Sequence, residues 1–383
     1  MERFLRCFSG EEKILYLEKI KIRNFRNYLS VDVSLSPQIN ILYGNNGQGK
    51  TNFLEAVSFL TLGRSFRAKR DEELIKKGEN GFYLKGEFQN QEELLVLEVG
   101  SDLNRLLVKV NGVVYKKKKD LFGRVRIVIF TPDDLQIVKG GPEKRREYLD
   151  LYLAQTYPGY RKAYRSFYRA LYQRNSLLKR MRVGFRDLTQ LEIWTNKVVE
   201  EGSLVIYYRL KAVEAISPWI NRYHQMMSGA KEELHCFYRF SGGKQPLPTL
   251  ESIKEEYKKI FSQKRKEEIK RGYTLVGPHR DDLVLLLNKK WELRTYGSQG
   301  QQRTAALAMK MAMVDLIENT YGIPPLLLLD DVFSEFDNKR KKELLHLLTE
   351  GTQTIISTTE AVDFPVLRPE IKSLKVESGV IFD

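Results

Sequence analysis

The 383-residue chain has 64 Lys and Arg against 49 Asp and Glu, a formal net charge of +15, and 42% hydrophobic residues, so we expect a compact protein of two or three domains. Its positive charge favours a polyanionic partner, either nucleic acid or an anionic membrane surface. Cys7 and Cys236 lack CxxC spacing and no run reaches the roughly 18 apolar residues of a membrane span, which argues against a zinc site, a disulfide framework and a membrane-spanning segment and predicts a cytoplasmic protein.

The first part of the chain has mostly strand-like patterns. Residues 1–15 are charged and aperiodic, and we interpret them as an extension outside the first sheet. Apolar and polar residues alternate between residues 16 and 43, and strand patterns return at 82–88, 94–99, 106–114 and 125–130. The dipeptide Asn111-Gly112 predicts a tight hairpin turn.

A helical insertion is predicted to interrupt this head domain. Residues 139–271 are rich in Arg, Lys, Tyr and Leu and have few β-branched runs. Strand patterns resume at 273–276 and 283–287, a helix is predicted at 302–318, and short apolar strands at 326–329 and 354–357. We therefore predict an α/β head formed by residues 16–138 and 272–383, with an inserted basic, mainly α-helical domain at 139–271.

Residues 44–51 match the phosphate-binding pattern GxxxxGK[ST], between a predicted strand at 39–43 and a predicted helix at 52–62. A glycine-rich turn that only happens to precede a lysine is the alternative, and these flanks disfavour it. Glycines allow backbone N–H groups to surround a phosphate, while the lysine reaches the β- and γ-phosphates and the threonine hydroxyl ligates Mg²⁺. The predicted ATP-binding residues here are Gly44, Asn45, Asn46, Gly47, Gln48, Gly49, Lys50 and Thr51.

An apolar run followed by two carboxylates, residues 326–331, predicts a Walker B strand. We expect Asp330 to complete the Mg²⁺ site with Thr51. Asp331 falls where the carboxylate that polarises the attacking water usually lies, and it is predicted to be catalytic together with Lys50. Because glutamate is more common at this position, the shorter aspartate predicts slow hydrolysis.

Residues 298–302, Ser-Gln-Gly-Gln-Gln, resemble the signature sequence of ABC ATPases, which opens a helix. Such a sequence could by itself be an ordinary helix cap, but its position before Asp330 favours the signature. We expect Ser298, Gly300 and Gln301 to bind the γ-phosphate of a nucleotide held by a second copy of the chain, and Ser298 to be catalytic there. Residues 334–337 resemble a D-loop, and Thr358 is a candidate γ-phosphate sensor where transporters often carry a histidine.

These motifs predict the fold class, an ABC-type P-loop ATPase head with mixed and parallel sheets, and ATP and Mg²⁺ as its cofactors. In this order, the sequence resembles the RecF family of bacterial DNA replication and repair proteins, relatives of the SMC and Rad50 ATPase heads. The resemblance rests on residues 22–28, 44–51, 63–67, 132–135, 140–150, 277–282, 298–302 and 330–332. It implies an ATP-dependent homodimer that binds DNA near single-strand gaps and helps the mediators RecO and RecR place the RecA recombinase.

Basic residues are concentrated between Lys139 and Arg186, with thirteen Lys and Arg against three Asp and Glu. Tyrosines recur every four residues from Tyr160 to Tyr172, and we interpret them as a buried helix face beside an arginine stripe. The predicted DNA contacts are Arg161, Arg165 and Arg169, with Arg64 and Arg67 placed on a DNA-facing or dimer-facing surface of the head. Residues 277–280 fit either a turn or a role near the nucleotide or interface.

Two other classes of protein share the nucleotide motifs. A transporter ATPase subunit is the main alternative, and the missing switch histidine, the basic insertion and the overall charge disfavour it. A chain-bridging protein of the cohesin or Rad50 kind would need hundreds of heptad residues, which the insertion does not supply.

Overall fold

The structure, a computed structural model, describes residues 15–90, 93–102, 105–229, 232–243, 247–335, 344, 348, 351–359 and 371–383. The strands are β1 (Tyr16–Phe25), β2 (Tyr28–Ser34), β3 (Ile39–Tyr43), β4 (Gly81–Gln89), β5 (Leu94–Asp102), β6 (Leu106–Val110), β7 (Val113–Tyr115), β8 (Ile127–Phe130), β9 (Leu234–Arg239), β10 (Asp282–Leu287), β11 (Trp291–Glu292), β12 (Leu326–Asp330), β13 (Thr354–Thr358), β14 (Ile371–Glu377) and β15 (Val380–Phe382). The α-helices are α1 (Lys50–Leu62), α2 (Leu135–Lys139), α3 (Pro142–Thr156), α4 (Pro158–Arg182), α5 (Leu188–Ser228), α6 (Leu250–Arg271), α7 (Leu293–Tyr296) and α8 (Gln299–Tyr321). Short 3₁₀ helices lie at Asp71–Leu74, Lys118–Asp120, Pro132–Asp134 and Val332–Glu335.

The chain divides into two compact units. Unit 1 comprises Met1–Asp133 and Ile317–Asp383, and unit 2 comprises Asp134–Leu316. Residues after 271 pack within unit 2 because β10 pairs with β9 and the Lys310 ammonium lies 2.7 Å from the Asp134 carboxylate. The division in the structure therefore differs from the predicted boundaries of the insertion, residues 139 and 271.

Unit 1 contains an antiparallel sheet with the strand order β2-β1-β4-β5-β6-β7. Its strands follow the predicted alternation, since the apolar residues of β4 are buried at every second position. The hairpin turn between β6 and β7 is also present, with Asn111 and Gly112 at φ 46° and 80°. This left-handed backbone is the conformation for which the Asn-Gly dipeptide is suited.

A second sheet of unit 1 carries the predicted Walker B strand. Its order is β15-β14-β3-β13-β12-β8, and β14, β3, β13, β12 and β8 run parallel while β15 is antiparallel. Every residue of β12 is buried, the four leucines and Asp330 alike, as expected of a strand inside a parallel sheet. Helix α1 follows β3, is buried at eleven of its 13 residues, and contacts both sheets of the unit. The loop between β3 and α1 thus lies at the carboxyl end of a parallel strand, where α/β sheets bind ligands.

Unit 2 is mainly helical, with a three-stranded antiparallel sheet ordered β11-β10-β9. Its longest helix, α5, has 41 residues and contains Pro218. Between α4 and α6, the buried Arg174 guanidinium lies 2.6 Å from the buried Glu268 carboxylate. In the described part of the chain, no helix combines the length and apolar character that crossing a bilayer requires.

One sequence prediction in unit 2 is wrong. Residues 273–276 are not a strand, because the backbone N–H groups of Thr274 and Leu275 donate to the side chains of Asn175 and Glu268, at 2.8 and 2.9 Å. These side chains satisfy hydrogen bonds that a neighbouring strand would otherwise accept. Conversely, residues within the predicted helical stretch form β9, which pairs with β10.

Candidate nucleotide-binding site

The loop between β3 and α1 has a backbone that glycine alone adopts without strain. Gly44, Gly47 and Gly49 have φ values of 149°, 79° and 126°. A Cβ atom at Gly44 would lie 2.3 Å from the Val376 carbonyl oxygen, and one at Gly49 would lie 2.7 Å from the Asn27 side chain. Conformation therefore favours glycine at all three positions, and close packing also requires it at Gly44 and Gly49.

Lys50 is the first residue of α1, and its side chain folds back onto this loop. Its ammonium donates to the carbonyl oxygens of Gly44 and Asn45, at 2.6 and 2.8 Å. Burial lowers the pKa of Lys50, while the carboxylates of Asp331 and Asp330 act in the opposite direction. The loop thus holds a cation beside the Walker B carboxylates, in a place where phosphate oxygens would be stronger acceptors than neutral carbonyls.

Thr51, Asp330 and Ser357 form a hydrogen-bonded cluster. The hydroxyls of Thr51 and Ser357 donate to the same oxygen of Asp330, at 2.8 and 2.6 Å. Burial raises the pKa of Asp330, and these two hydroxyls oppose the increase. A threonine hydroxyl and a carboxylate side by side are the oxygen donors that Mg²⁺ takes next to nucleotide phosphates, so the residues fit the ion.

Asp331 follows β12 in a left-handed conformation, with φ 49°. Its backbone N–H group donates to the hydroxyl and the carbonyl oxygen of Ser357, at 2.9 and 3.2 Å. Ser357 therefore fixes both acidic positions, Asp330 through its side chain and Asp331 through its backbone. Ser357 was not predicted from the sequence, where the candidate was its neighbour Thr358, which is buried at the end of β13.

The turn between β1 and β2 supports the loop from one side. The Asn27 amide donates to the Gln48 carbonyl oxygen at 2.7 Å and accepts from the Asn52 amide at 2.8 Å. The Tyr28 hydroxyl donates to the Gly49 carbonyl oxygen at 2.9 Å. Asn27 and Tyr28 thus hold the backbone of the nucleotide loop in place.

The turn between β14 and β15 supports the loop from another side. The Ser378 N–H group donates to the Gln48 side-chain oxygen at 2.6 Å, and the Gly379 N–H group donates to the Gln48 carbonyl oxygen at 3.0 Å. This hairpin was not predicted from the sequence.

Glu55 is a second supporting residue that was not predicted from the sequence. This fully buried carboxylate of α1 binds the Arg26 guanidinium through two bonds of 2.7 and 2.8 Å and accepts a bond from the Ser65 hydroxyl. The Ser65 hydroxyl in turn accepts from the backbone N–H groups of Arg67 and Ala68, at 2.8 and 2.7 Å. Glu55 thereby orders the segment after α1, and its only signal in the sequence is a charge within an apolar helix.

Arg64 and Arg67 lie in this ordered segment, and both are exposed. The Arg67 guanidinium donates to the Asn52 side chain at 3.1 Å, and its charge partly opposes the rise in the pKa of Asp330 that burial causes. Arg67 is therefore close enough to the Walker B carboxylate to influence it. A contact of Arg64 or Arg67 with DNA stays a prediction.

The predicted signature begins α8 in unit 2. Ser298 caps this helix, because its hydroxyl accepts from the Gln301 N–H group at 3.3 Å, while its own N–H group donates to the Gln301 side chain at 2.6 Å. Ser298 is exposed, and Gly300 and Gln301 are half-buried. The Gln301 amide also donates to Glu232 at 2.5 Å. The structure therefore presents the capped helix start at the surface of its unit. Of the predicted D-loop, residues 336 and 337 lie outside the described residues.

Comparison with known proteins decides the family. The model of the RecF/RecN/SMC N-terminal domain matches residues 16–380. A DNA replication and repair protein RecF from Halalkalibacterium halodurans is 39% identical over 367 residues, covering 95% of this chain and 98% of that protein. The chain belongs to the RecF family. A second RecF, from Symbiobacterium thermophilum, is 38% identical, with 92% of this chain and 93% of that protein covered.

Solved structures give the same result. This RecF-family chain matches a recombination mediator protein RecF-ATP of the RecFOR pathway with a TM-score of 0.87 and 33% identity, covering 98% of this chain and 99% of the other. An Smc head bound to a domain of ScpA matches with a TM-score of 0.58 and 18% identity, over 96% of each chain, and shares the fold. The predicted fold class is confirmed, the chain is an ATPase of the RecF and SMC type, and the transporter alternative is not supported.

In this RecF-family chain, the arginine stripe lies on α4 and the tyrosines do not form one buried face. Tyr160 is fully buried, but the exposed fraction rises to 36% at Tyr168 and 72% at Tyr172. Steps of four residues turn about 40° beyond a full helical turn, so the tyrosines drift from the core to the surface. Arg161 is half-buried, and Arg165 and Arg169 are exposed.

Residues 277–280 form a turn inside unit 2. The Arg280 N–H group donates to the Gly277 carbonyl oxygen at 2.7 Å, and the buried Arg209 guanidinium donates to the Pro278 carbonyl oxygen at 2.6 Å. The His279 ring lies 5.9 Å from the Phe167 ring, and burial lowers its pKa to about 4. These contacts favour the first of the two predicted alternatives for residues 277–280, a turn.

Proposed function

We propose that this RecF-family chain is an ATP-driven switch of recombinational DNA repair. Two copies close around two ATP molecules, each held between residues 44–51 of one copy and the Ser298 signature of the other. The closed dimer binds DNA near single-strand gaps, and slow hydrolysis reopens it. The observation that carries this proposal is the exposed, Ser298-capped start of α8, which leaves a helix N-terminus available to the phosphate of another copy's nucleotide.

Different residues of unit 1 bind the phosphates, hold the metal ion and orient the attacking water. Lys50 binds the β- and γ-phosphates, and Thr51 and Asp330 hold Mg²⁺, which neutralises phosphate charge when it is bound. Asp331 orients the attacking water, with its backbone fixed by Ser357. Because hydrolysis serves to reset the dimer, a slow reaction suffices for the switch.

The DNA and protein partners follow from the surface charge and from the relatives. The exposed arginines of α4 bind DNA phosphates, so we expect DNA to stimulate hydrolysis by favouring the closed dimer. The related RecF-ATP structure is described as a mediator of the RecFOR pathway, which supports RecO and RecR as partners of this chain. This role places the chain in the cytoplasm.

Molecular mass in solution tests the proposal. Sedimentation of the full chain with ATP and a gapped DNA should give a complex with two copies, whereas the chain without nucleotide should sediment as a monomer. Lys50→Ala is the control, since losing the lysine should abolish both ATP binding and the dimer. A wild-type chain that stays monomeric with saturating ATP and DNA would contradict the switch.

A further inference from the structure

One end of unit 2 gathers cations from two helices and a loop. We call residues 177–188 and 264–273 the basic end. The last turns of α4 and α6 lie side by side there, since Ile269 packs against the buried cluster of Leu177, Leu178, Met181 and Leu191. A Cβ atom at Gly272 would lie 3.2 Å from the Arg182 side chain.

The charge of the basic end is strongly unbalanced. Its two segments contain nine Lys and Arg against three Asp and Glu, and one of these acids, Glu268, is buried with Arg174. Several exposed cations have no carboxylate partner within the described ranges of the chain: Lys179, Arg180, Arg182, Arg186, Lys266 and Lys270. Two helix C-termini carry about half a negative charge each, so favourable interaction with the helix dipoles accounts for only a small part of this excess.

Exposed aromatic rings lie among these cations. The Arg180 guanidinium lies 3.9 Å from the centre of the Phe185 ring, and the Arg280 guanidinium lies 5.6 Å from that of Tyr273. Phe185 and Tyr273 are each 38% exposed. Cations interleaved with accessible rings are typical of surfaces that bind nucleic acids.

The basic end continues the arginine stripe. Helix α4 contains no Asp or Glu. At 100° per residue, Arg165, Arg169, Lys179 and Arg180 fall within about 100° of one another around the helix axis, so they share one face. Residues Tyr172, Gln173 and Ser176 lie on the same face, and all three are exposed. The face is therefore polar and uninterrupted by acidic groups from the stripe to the helix end.

We propose that this face of α4 and the basic end form one continuous track for the phosphate backbone of DNA. The track rests on the DNA-binding function proposed above and extends it beyond the three stripe arginines. From Arg165 to Arg182 it is about 25 Å long, at 1.5 Å per residue, which matches roughly seven base pairs of duplex.

Salt-dependent DNA binding tests the track. The variant Lys179→Gln/Arg180→Gln/Arg186→Gln removes three cations from the basic end, and fluorescence anisotropy with a labelled duplex of about 20 base pairs measures affinity between ~0.05 and ~0.3 M salt. Each lost phosphate contact should lower the salt slope by about 0.9, so the slope should fall by about 2 to 3 and the affinity at ~0.1 M by more than tenfold. Lys211→Gln/Lys258→Gln/Lys259→Gln is the charge-matched control on α5 and the middle of α6, and it should keep the wild-type slope.

The outcomes separate this proposal from the function on which it rests. If the wild-type chain does not bind DNA, the proposed function fails. If the wild-type chain binds DNA and the basic-end variant binds it with the same affinity and slope, the track is wrong and the basic end serves another partner. Lys266→Gln/Lys270→Gln on α6 repeats the test without altering α4. ATP-dependent dimerisation without DNA, measured for each variant, verifies that the chain is folded.

Discussion

At the scale of single residues, the nucleotide site depends on buried oxygens that satisfy one another. Thr51, Asp330 and Ser357 come from α1, β12 and β13, yet their side chains meet at one carboxylate oxygen. A buried carboxylate is stable only with such partners. The cluster is therefore sensitive to the loss of a single hydroxyl.

Thr51→Val should remove the hydroxyl while keeping the volume of the side chain. Asp330 then keeps only the Ser357 hydroxyl, and the site loses a metal donor, so we expect half-maximal ATPase activity to need about tenfold more Mg²⁺. A magnesium titration of steady-state hydrolysis measures this. Thr51→Ser retains the donor and should behave as wild type; an unaltered Mg²⁺ requirement in Thr51→Val would exclude Thr51 from the metal site.

His279 should make stability depend on pH. Burial lowers its pKa from 6.5 to about 4, so between these pH values the imidazole is protonated in the unfolded chain and neutral in the folded chain. This contribution to stability is fully present above the unfolded pKa of 6.5 and is lost as the pH falls toward 4. Between pH ~7 and pH ~5 the wild type should lose about 2 kcal/mol more free energy of unfolding than His279→Gln. Urea denaturation at both pH values measures the difference, and equal losses would show that His279 is protonated in the folded chain.

At the scale of elements, the sequence predicts a strand well where each face of the strand is uniformly buried or uniformly exposed. The alternation of apolar and polar residues correctly predicted strands of the antiparallel sheet such as β4. The apolar run of residues 326–329 correctly predicted the buried parallel strand β12. The pattern failed at residues 273–276, where distant side chains accept the backbone hydrogen bonds. It also missed β9, whose three inward residues lie inside a stretch of helical composition.

Arg174 and Glu268 join α4 to α6, and their pair should behave as a buried unit. Arg174→Met alone leaves the Glu268 carboxylate without its guanidinium, so we expect a loss of about 3 to 5 kcal/mol of unfolding free energy. The double variant Arg174→Met/Glu268→Leu removes both charges and should recover most of that loss.

Chemical denaturation of both variants and of Glu268→Leu completes the double-mutant cycle. Lys197→Met at an exposed pair on α5 is the control and should cost under about 1 kcal/mol. Additive losses in the Arg174 and Glu268 variants would show that the two helices are joined by other contacts.

At the scale of the whole molecule, the motifs for the nucleotide were predictable because each is short and local. Residues 44–51, 298–302 and 330–331 carry their chemistry in sequence order. The supporting residues were not predictable in this way, since Glu55 meets Arg26 across 29 positions and Ser357 meets Asp330 across 27. Such contacts depend on the fold, which a single sequence does not display.

Ser298→Arg should separate nucleotide binding from dimer formation. The substitution removes the Ser298 helix cap, which should lower the free energy of unfolding by about 1 kcal/mol. It leaves residues 44–51 unchanged. We expect ATP affinity within about twofold of wild type but no ATP-dependent dimer, because the bulky cation replaces the hydroxyl offered to the partner's phosphate. Sedimentation velocity and a nucleotide titration measure the two effects. Ser298→Thr keeps the hydroxyl and should dimerise, and an ATP-dependent dimer of Ser298→Arg would refute the shared site.

The position of β3 has a consequence for synthesis on the ribosome. This strand leads into the nucleotide loop and is flanked in the sheet by β13 and β14. The backbone N–H groups of residues 378 and 379 then donate hydrogen bonds to Gln48 in the loop. Both neighbours are translated more than 300 residues after β3. A nascent chain therefore carries the loop sequence early but lacks both strands that flank β3 until residues 354–379 have been made, so it should bind ATP only after those residues have left the ribosome.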